Sequence, residues 1–127
     1  DLLGRFKLSH MRDEYAATLS GGQRKLLEMA RALMSEPKLI LLDEPMAGVN
    51  PVLVESLLVH IENLRDEGVS VLFIEHDMDA IMGISDWIVV LAEGQVIAEG
   101  TPSDVSKNPA VIDAYLGSAI AEELKDV

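Results

Sequence analysis

Three short stretches of this 127-residue chain carry residue types that suit phosphate chemistry. In the segment Ser20–Gln23, two adjacent glycines before an amphipathic stretch leave backbone N–H groups uncovered at the positive end of a helix, which favours an anion. Asp43 and Glu44 follow an apolar run. The first of these acids can hold Mg²⁺ through water, and the second can deprotonate an attacking water. His76 follows another apolar run and can donate a hydrogen bond to a transferring phosphoryl group.

Each stretch also has a purely structural interpretation. Ser20 and Gln23 have the spacing of a capping box at a helix start. Two acids at the end of a strand are often solvated loop residues, and a single histidine beside a helix start is often an ordinary surface residue. His10, in an irregular N-terminal stretch, and His60, on a long helix, have only the surface interpretation. The three stretches in their fixed order are therefore stronger evidence of a phosphate site than any one of them alone.

The apolar patterns between these stretches predict a βαβ unit. A strand that is apolar on both faces belongs in a covered parallel sheet. The crossover of such a unit is right-handed, and the carboxyl ends of its parallel strands meet at one edge, where ligands bind. Asp43-Glu44 and Glu75-His76 are expected there. The predicted elements are a helix over 24–34 that is capped by Ser20 and ended by Pro37, a strand over 39–42, a helix over 51–67 between Asn50 and Gly68, and a strand over 69–74.

The rest of the chain predicts short elements. A hairpin pairs residues 87–92 with residues 95–99 through a turn at Glu93-Gly94. Proline just after a capping residue predicts helices that begin at Thr101 and at Asn108. The remaining expectations are a short helix over 78–84, an end of the last helix at Gly117, and a charged tail over 121–127.

Composition and charge exclude several classes of protein. The chain has 22 acidic and 10 basic residues, a net charge of −12, which argues against a nucleic-acid partner. The longest apolar run, 87–92, is far short of the roughly 18 residues that a membrane-spanning helix needs, so direct membrane insertion is not expected. The absence of cysteine suits a reducing compartment, and no basic-then-apolar leader begins the chain, so secretion is not expected.

Taken in order, the stretches resemble ATP-binding cassette (ABC) ATPases. Leu-Ser-Gly-Gly-Gln at 19–23, Leu-Ile-Leu-Leu-Asp-Glu-Pro at 39–45 and His76 look like the signature motif, the Walker B motif and the switch histidine of that family. The resemblance implies an α/β fold, a partial P-loop NTPase (ABC-type) fold with a parallel βαβ core. The implied parts of the nucleotide-binding domain at 1–127 are a signature helix at 19–35, a Walker B to switch-histidine core at 38–86, and a C-terminal β-hairpin and short helices at 87–127.

The resemblance also implies that ATP and Mg²⁺ bind between two ABC ATPase subunits, identical or different. Asp43 would hold Mg²⁺, Glu44 would act as general base on water, and His76 would contact the γ-phosphate. Asn50 stands where the family usually has Asp, in a loop that communicates between subunits. The residues that would face the ATP of the partner subunit are Ser20, Gly21, Gly22 and Gln23.

The loop at 44–51, with its Ala-Gly-x-Asn-Pro run, is similar to that of the ATP-binding subunits of branched-chain amino-acid importers. This implies an ATPase peripheral on the cytoplasmic face of the cell membrane, where it docks on membrane permease subunits and drives uptake of branched-chain or other hydrophobic amino acids. Lipopolysaccharide-export and urea-import ATPases have closely similar motifs. The sequence does not identify the transported solute.

The phosphate-cradling loop of such ATPases, Gly-x-x-x-x-Gly-Lys-Ser/Thr, is missing, because none of the nine glycines precedes a lysine. The resemblance therefore implies the C-terminal portion of a subunit, without the phosphate-loop half. We expect the chain alone to hydrolyse no ATP. In the family the missing strand pairs beside 69–74, so we also expect an unpaired edge, uncovered apolar surface and self-association.

Two other classes stay open. One is a cassette ATPase without a transport role, such as a cluster-assembly or chromosome-maintenance enzyme, although the latter needs long heptad-bearing helices that this sequence lacks. The other is a half-domain interaction module without catalysis of its own.

Overall fold

A computed structural model describes residues 1–115 of the chain. Its contacts divide the chain into two compact units, Asp1–His76 and Asp77–Val127. The predicted helix end at Gly117 and the predicted tail over 121–127 lie outside the described residues. No helix in the described part is both long and apolar enough to cross a bilayer.

The first unit contains the predicted βαβ core. Strands β1 and β2 pair in parallel, with Leu41 opposite Leu72 and Asp43 opposite Ile74, and a long helix connects them. The fold class expected from the sequence is therefore confirmed for this unit. Its helices and strands are α1 (Leu2–Arg5), α2 (Gly21–Leu33), β1 (Leu39–Asp43), α3 (Pro51–Asp66) and β2 (Ser70–Ile74), with 3-10 turns at Ser9–Met11 and Ala16–Thr18.

Local signals set the bounds of α2. The Ser20 hydroxyl oxygen accepts a hydrogen bond from the Gln23 backbone N–H at 3.2 Å, and Gln23 Oε1 accepts one from the Ser20 backbone N–H at 2.9 Å. This reciprocal pair is the predicted capping box. Beyond the helix, Glu36 has a φ of +49° directly before Pro37, so the chain leaves the helical conformation where the proline requires it.

Helix α3 begins and ends as its sequence predicts. The side chain of Asn50 accepts a hydrogen bond from the Leu53 backbone N–H at 3.0 Å, and Pro51 occupies the first turn. Past the other end, Gly68 has a φ of +91°, a conformation that suits glycine after a helix. The turn connects the end of α3 at Asp66 to the start of β2 at Ser70.

The parallel sheet is covered on only one face in residues 1–76, which agrees with the uncovered apolar surface expected from the sequence. Ile40 is buried on the face against which the helices pack. Neighbouring side chains of a strand point to opposite faces. The opposite face has no covering element in residues 1–76, and its large apolar side chains, Leu39, Leu41, Leu72 and Ile74, are exposed.

The N-terminal stretch contributes to the core instead of being irregular. Phe6 and Leu8 are buried, and a bidentate ion pair of 2.7 and 2.9 Å joins Arg5 to Glu67 at the end of α3. The surface interpretation of His60 is wrong, because its ring is buried against that of Phe6 with centroids 4.5 Å apart. Burial lowers the pKa of His60, and the nearby positive charges of Arg5 and Lys7 lower it further.

The second unit has the predicted hairpin and short helices. Its elements are α4 (Met78–Ile84), β3 (Ile88–Ala92), β4 (Gln95–Gly100), α5 (Pro102–Ser106) and helical residues 109–115. Glu93 and Gly94 both have positive φ, as a tight antiparallel turn requires. Ile88, Val105 and Val111 form the buried cluster of this unit.

Candidate functional site

The carboxyl ends of β1 and β2 lie side by side, as the crossover predicted. Asp43 and Ile74 are paired in register at the last position of the two strands. One residue further, the Glu44 backbone N–H donates a hydrogen bond to the Ile74 carbonyl at 2.8 Å. The pairing therefore continues past the strands and brings Glu44 next to the residues that follow β2.

Glu44 and His76 approach each other at this edge. The imidazole Nδ1 of His76 lies 3.7 Å from Oε1 of Glu44, and the two side chains are 81% and 53% exposed. The separation is slightly too long for a direct hydrogen bond, so the two groups face each other at an open edge without being bonded. A carboxylate that accepts protons thus faces an imidazole that can donate one.

Asp43 has the properties required of a water-mediated magnesium ligand. Its side chain is exposed and forms no hydrogen bond or ion pair with any residue in 1–115. No group of three or more metal-binding side chains gathers anywhere in that range. Because Mg²⁺ keeps most of its water and needs only one or two carboxylates, a lone aspartate beside the phosphates of a nucleotide fits this ion.

The backbone at Glu44 is held in an uncommon conformation. Its φ of +44° lies in the left-handed region, which costs a non-glycine residue about 1–2 kcal/mol. The Ala47 backbone N–H donates to the Glu44 carbonyl at 3.1 Å and closes a turn. Pro45 and Met46, within this turn, are buried. The surrounding structure therefore fixes the direction in which the Glu44 side chain leaves the sheet.

Glu75 belongs to the same edge, and sequence reasoning gave it no role. Its side chain is only 2% exposed. Oε1 accepts a hydrogen bond from the Met46 backbone N–H at 2.9 Å, and Oε2 accepts one from the His76 backbone N–H at 3.3 Å. The sequence contains no signal for this arrangement, because the partner stands 29 positions away and a buried glutamate looks like an exposed one.

The start of α2 lies against the start of α3. Gly22 contacts the side chain of Leu53 so closely that a Cβ at Gly22 would overlap it, whereas a Cβ at Gly21 would meet no atom within 4 Å. Neither helix has an acidic residue in its first turn. Two positive helix ends without compensating carboxylates therefore lie close together, which favours an anion on this surface.

The two candidate surfaces are not joined by polar contacts. Within residues 1–115, no hydrogen bond or ion pair connects the segment Ser20–Gln23 with Glu44 or His76. The structure brings Asp43, Glu44 and His76 together at one edge of the sheet. It brings Gly22 of the segment Ser20–Gln23 against Leu53, in the first turn of α3.

Known protein families match both ends of the chain. The family described as "ABC transporter" matches residues 1–47, and the family described as "Branched-chain amino acid ATP-binding cassette transporter" matches residues 95–121.

Several curated relatives are similar over nearly the whole chain. The probable branched-chain amino acid transport ATP-binding protein LivG of Archaeoglobus fulgidus is 49% identical over 121 residues, which are 95% of this chain and 47% of the relative. The high-affinity branched-chain amino acid transport ATP-binding protein BraF of Pseudomonas aeruginosa is 47% identical over 92% of this chain and 46% of its own length. The lipopolysaccharide export system ATP-binding protein LptB of Escherichia coli is 40% identical over 92% of this chain and 48% of its own length.

Solved structures agree with the sequence matches. The ADP conformation of MJ1267, an ATP-binding cassette of an ABC transporter, superposes with a TM-score of 0.82 at 42% identity, over 91% of this chain and 47% of that one. CbiO1 of Clostridium perfringens, described as part of an ABC transporter complex, superposes with a TM-score of 0.75 at 30% identity, over 99% of this chain and 51% of that one. The chain spans about half the length of the curated relatives it matches. By its motifs, its fold and these matches, the chain is similar to part of an ATP-binding cassette of the ABC transporter family.

Proposed function

We propose that this chain supplies the Walker B, switch-histidine and signature elements of an ATP-hydrolysing ABC transporter subunit. The observation that carries the proposal is the approach of Glu44 and His76 to 3.7 Å at the carboxyl edge of the parallel strands. In this proposal residues 1–127 form the C-terminal part of a nucleotide-binding domain, with its signature helix at 19–35, its core at 38–86 and its hairpin and helices at 87–127.

Hydrolysis requires a base for water and a donor for the phosphoryl oxygens. Glu44, with an exposed carboxylate on a fixed backbone turn, accepts the proton of the attacking water. His76 donates a hydrogen bond toward the γ-phosphate, where charge is redistributed in the transition state. Asp43 would hold Mg²⁺, and that ion would neutralise part of the phosphate charge of ATP.

The start of α2 serves a second subunit in this proposal. Ser20, Gly21, Gly22 and Gln23 face the γ-phosphate of the ATP that the partner ATPase subunit holds. The open surface at Gly21 and the lack of acids in the first turns of α2 and α3 support this assignment. Asn50, the cap of α3, takes the place of the communicating loop residue.

The 127 residues alone are proposed to be inactive. They contain no Gly-x-x-x-x-Gly-Lys-Ser/Thr sequence, so the lysine that reaches the β- and γ-phosphates must come from elsewhere. The exposed apolar face around Leu41 and Leu72 also fits a surface that the rest of a complete cassette covers.

For the transported solute we propose branched-chain or other hydrophobic amino acids. The family match over 95–121 and the printed names of LivG and BraF support this choice. The subunit would lie on the cytoplasmic face of the membrane, docked on permease subunits. Lipopolysaccharide export is the second candidate, because LptB is 40% identical over almost the same length of chain.

A complete cassette in which this chain replaces the aligned segment of BraF tests the chemistry. Glu44→Gln and His76→Ala should each lower kcat for ATP hydrolysis by about 100-fold or more, the usual contribution of a general acid or base. His10→Ala, at an exposed histidine, is the matched control and should change kcat less than about twofold. An unchanged rate in Glu44→Gln would refute the proposed role.

Uptake measurements test the solute. The same chimera should restore uptake of labelled leucine in a Pseudomonas aeruginosa strain that lacks BraF, and Glu44→Gln should abolish the rescue. ATP hydrolysis without restored uptake would favour an ATPase outside this transport class. Complementation of a strain that lacks LptB by the corresponding chimera, without rescue of leucine uptake, would favour the second candidate. A cassette that binds its partner subunit but never hydrolyses ATP would favour an interaction module.

A further inference from the structure

Glu75 is a nearly fully buried carboxylate directly beside an exposed histidine. Its side chain is 2% exposed, while that of His76 is 81% exposed. A carboxylate is rarely buried unless hydrogen bonds or charges compensate its lost hydration. Both oxygens of Glu75 accept a backbone hydrogen bond, Oε1 from Met46 and Oε2 from His76.

The hydrogen bond to Met46 reaches the loop that carries Glu44. Glu44 has a positive φ, so its neighbours must hold it in place. Pro45 has no N–H to donate. The Met46 N–H is therefore the first backbone donor after Glu44, and it donates to Glu75 at 2.9 Å. On the other side, the Glu44 N–H is tied to the Ile74 carbonyl, directly before Glu75.

We infer that Glu75 is a positioning residue that fixes the carboxylate of Glu44 relative to the imidazole of His76. One buried side chain holds the backbone two residues after Glu44 and the backbone of His76 itself. The 3.7 Å approach of the two reacting side chains thus depends on Glu75 accepting both N–H groups. This inference rests on the proposed function for the roles of Glu44 and His76, but the geometry that it asserts is independent of nucleotide.

Two substitutions of Glu75 with side chains of equal length distinguish the effect of its hydrogen bonds from the effect of the volume that it fills. Glu75→Gln keeps a carbonyl oxygen that can accept from Met46, whereas Glu75→Met fills the same volume with only a weak acceptor. Glu75→Asp keeps the charge but withdraws the oxygens by one methylene. It serves as a second loss variant if Glu75→Met does not fold.

The first measurement is hydrogen exchange of the Met46 amide by NMR in the 127-residue chain. We expect exchange to accelerate about tenfold or more in Glu75→Met and Glu75→Asp and less than about threefold in Glu75→Gln, as the loss of one hydrogen bond predicts. An unprotected Met46 amide in the unmodified chain, or equal exchange in all variants, would overturn the inference.

The second measurement is ATP hydrolysis by the complete chimeric cassette. A misplacement of reacting groups by about 1 Å can cost two orders of magnitude, so Glu75→Met should lower kcat at least about tenfold while KM for ATP changes less than about twofold. Glu75→Gln keeps the acceptor for Met46 but places an amide NH2 against the His76 N–H, so it should lower kcat by less than Glu75→Met does. Equal kcat in Glu75→Gln and Glu75→Met would refute a positioning role through hydrogen bonding.

The two possible failures are distinguishable. If Glu44→Gln leaves hydrolysis unchanged, the proposed function fails, whatever the Glu75 variants do. If Glu44→Gln abolishes hydrolysis but Glu75→Met does not lower kcat, the proposed function stands and the positioning role of Glu75 is refuted.

Discussion

Gly22, in the first turn of α2, packs directly against the side chain of Leu53, in the first turn of α3. The doubled glycine of the signature segment thus has two different surroundings, because Gly21 meets no atom within 4 Å. Gly22 allows α2 and α3 to pack closely, and Gly21 leaves the surface at the start of α2 open.

Gly22→Ala should destabilise the chain. The added Cβ overlaps the end of the Leu53 side chain, which must shift, so we expect a loss of about 1 kcal/mol in the free energy of unfolding, the low end for overpacked sites. Gly21→Ala is the matched control and should change stability by less than about 0.5 kcal/mol. Urea unfolding followed by circular dichroism measures both, and equal midpoints for the two variants would contradict the packing argument.

Gly21→Ala should instead affect hydrolysis in a complete cassette. Its methyl group would occupy open space at the start of α2, where the partner's ATP is proposed to bind. We expect kcat to fall about tenfold without loss of thermal stability, since one lost charge-assisted hydrogen bond is worth about that much. Full activity in this variant would argue against a phosphate at this helix start.

His60 should make the stability of the chain depend on pH. Its pKa in the folded chain lies below the ordinary 6.5, so the unfolded chain binds a proton more readily than the folded one. The stabilisation from a neutral His60 is complete above pH 6.5 and is lost as the pH falls toward the lowered folded value. The Nδ1 atom has no hydrogen-bond partner in the described part of the chain, so nothing compensates a charge there.

The test compares urea unfolding at about pH 7.5 and about pH 5.5. His60→Leu should lose less stability between the two pH values than the unmodified chain, whereas His10→Leu, at an exposed site, should lose as much. An identical loss in His60→Leu and the unmodified chain would show that the buried imidazole does not titrate in this range.

Asn50 should tolerate an acid but not an apolar residue. Asn50→Ala removes the cap of α3 and should cost about 1 kcal/mol of unfolding free energy. Asn50→Asp keeps the acceptor and adds a negative charge at the positive end of a helix, so its stability should equal or exceed that of the unmodified chain by up to about 0.5 kcal/mol. Chemical unfolding decides between these outcomes, and an Asp variant as unstable as the Ala variant would contradict the cap.

The exposed face of the parallel sheet should govern self-association. Leu41 and Leu72 are cross-strand neighbours and are both exposed. Leu41→Lys should lower self-association of the 127-residue chain in light scattering, because it interrupts the apolar patch. Val59→Lys, on an exposed site of α3, is the control and should change little.

In a complete cassette the same pair of variants should behave differently. If the other half of the domain covers the face, Leu41→Lys buries a charge and should lower Tm by several degrees, roughly as a loss of 1–3 kcal/mol does in a domain of that size. Val59→Lys should leave Tm unchanged. An unchanged Tm in Leu41→Lys would mean that the face stays exposed in the complete protein.

Features set by neighbouring residues were predictable from the sequence. The capping box of Ser20 and Gln23, the cap at Asn50 and the turn at Glu93-Gly94 each depend on a few adjacent positions. That Glu44 and His76 lie at one edge was also predictable, because the two strands of a βαβ unit are parallel and their carboxyl ends meet.

Features that depend on distant partners were not predictable. Phe6 lies in a stretch without periodicity, and only the three-dimensional packing shows that it buries the ring of His60. The burial of Glu75 depends on Met46, 29 positions earlier. An apolar run predicts that a strand needs cover on both faces, but it cannot say which polypeptide segment provides that cover for Leu41.

The capping box at the start of α2 also determines which atoms of Ser20 and Gln23 are left for other hydrogen bonds. Ser20 and Gln23 could each give or receive hydrogen bonds, but the cap engages the oxygen atom of both. The hydroxyl hydrogen of Ser20 and the amide hydrogens of Gln23 take no part in it. The cap therefore leaves both side chains free to act as hydrogen-bond donors, already oriented for the phosphate that is proposed to bind there.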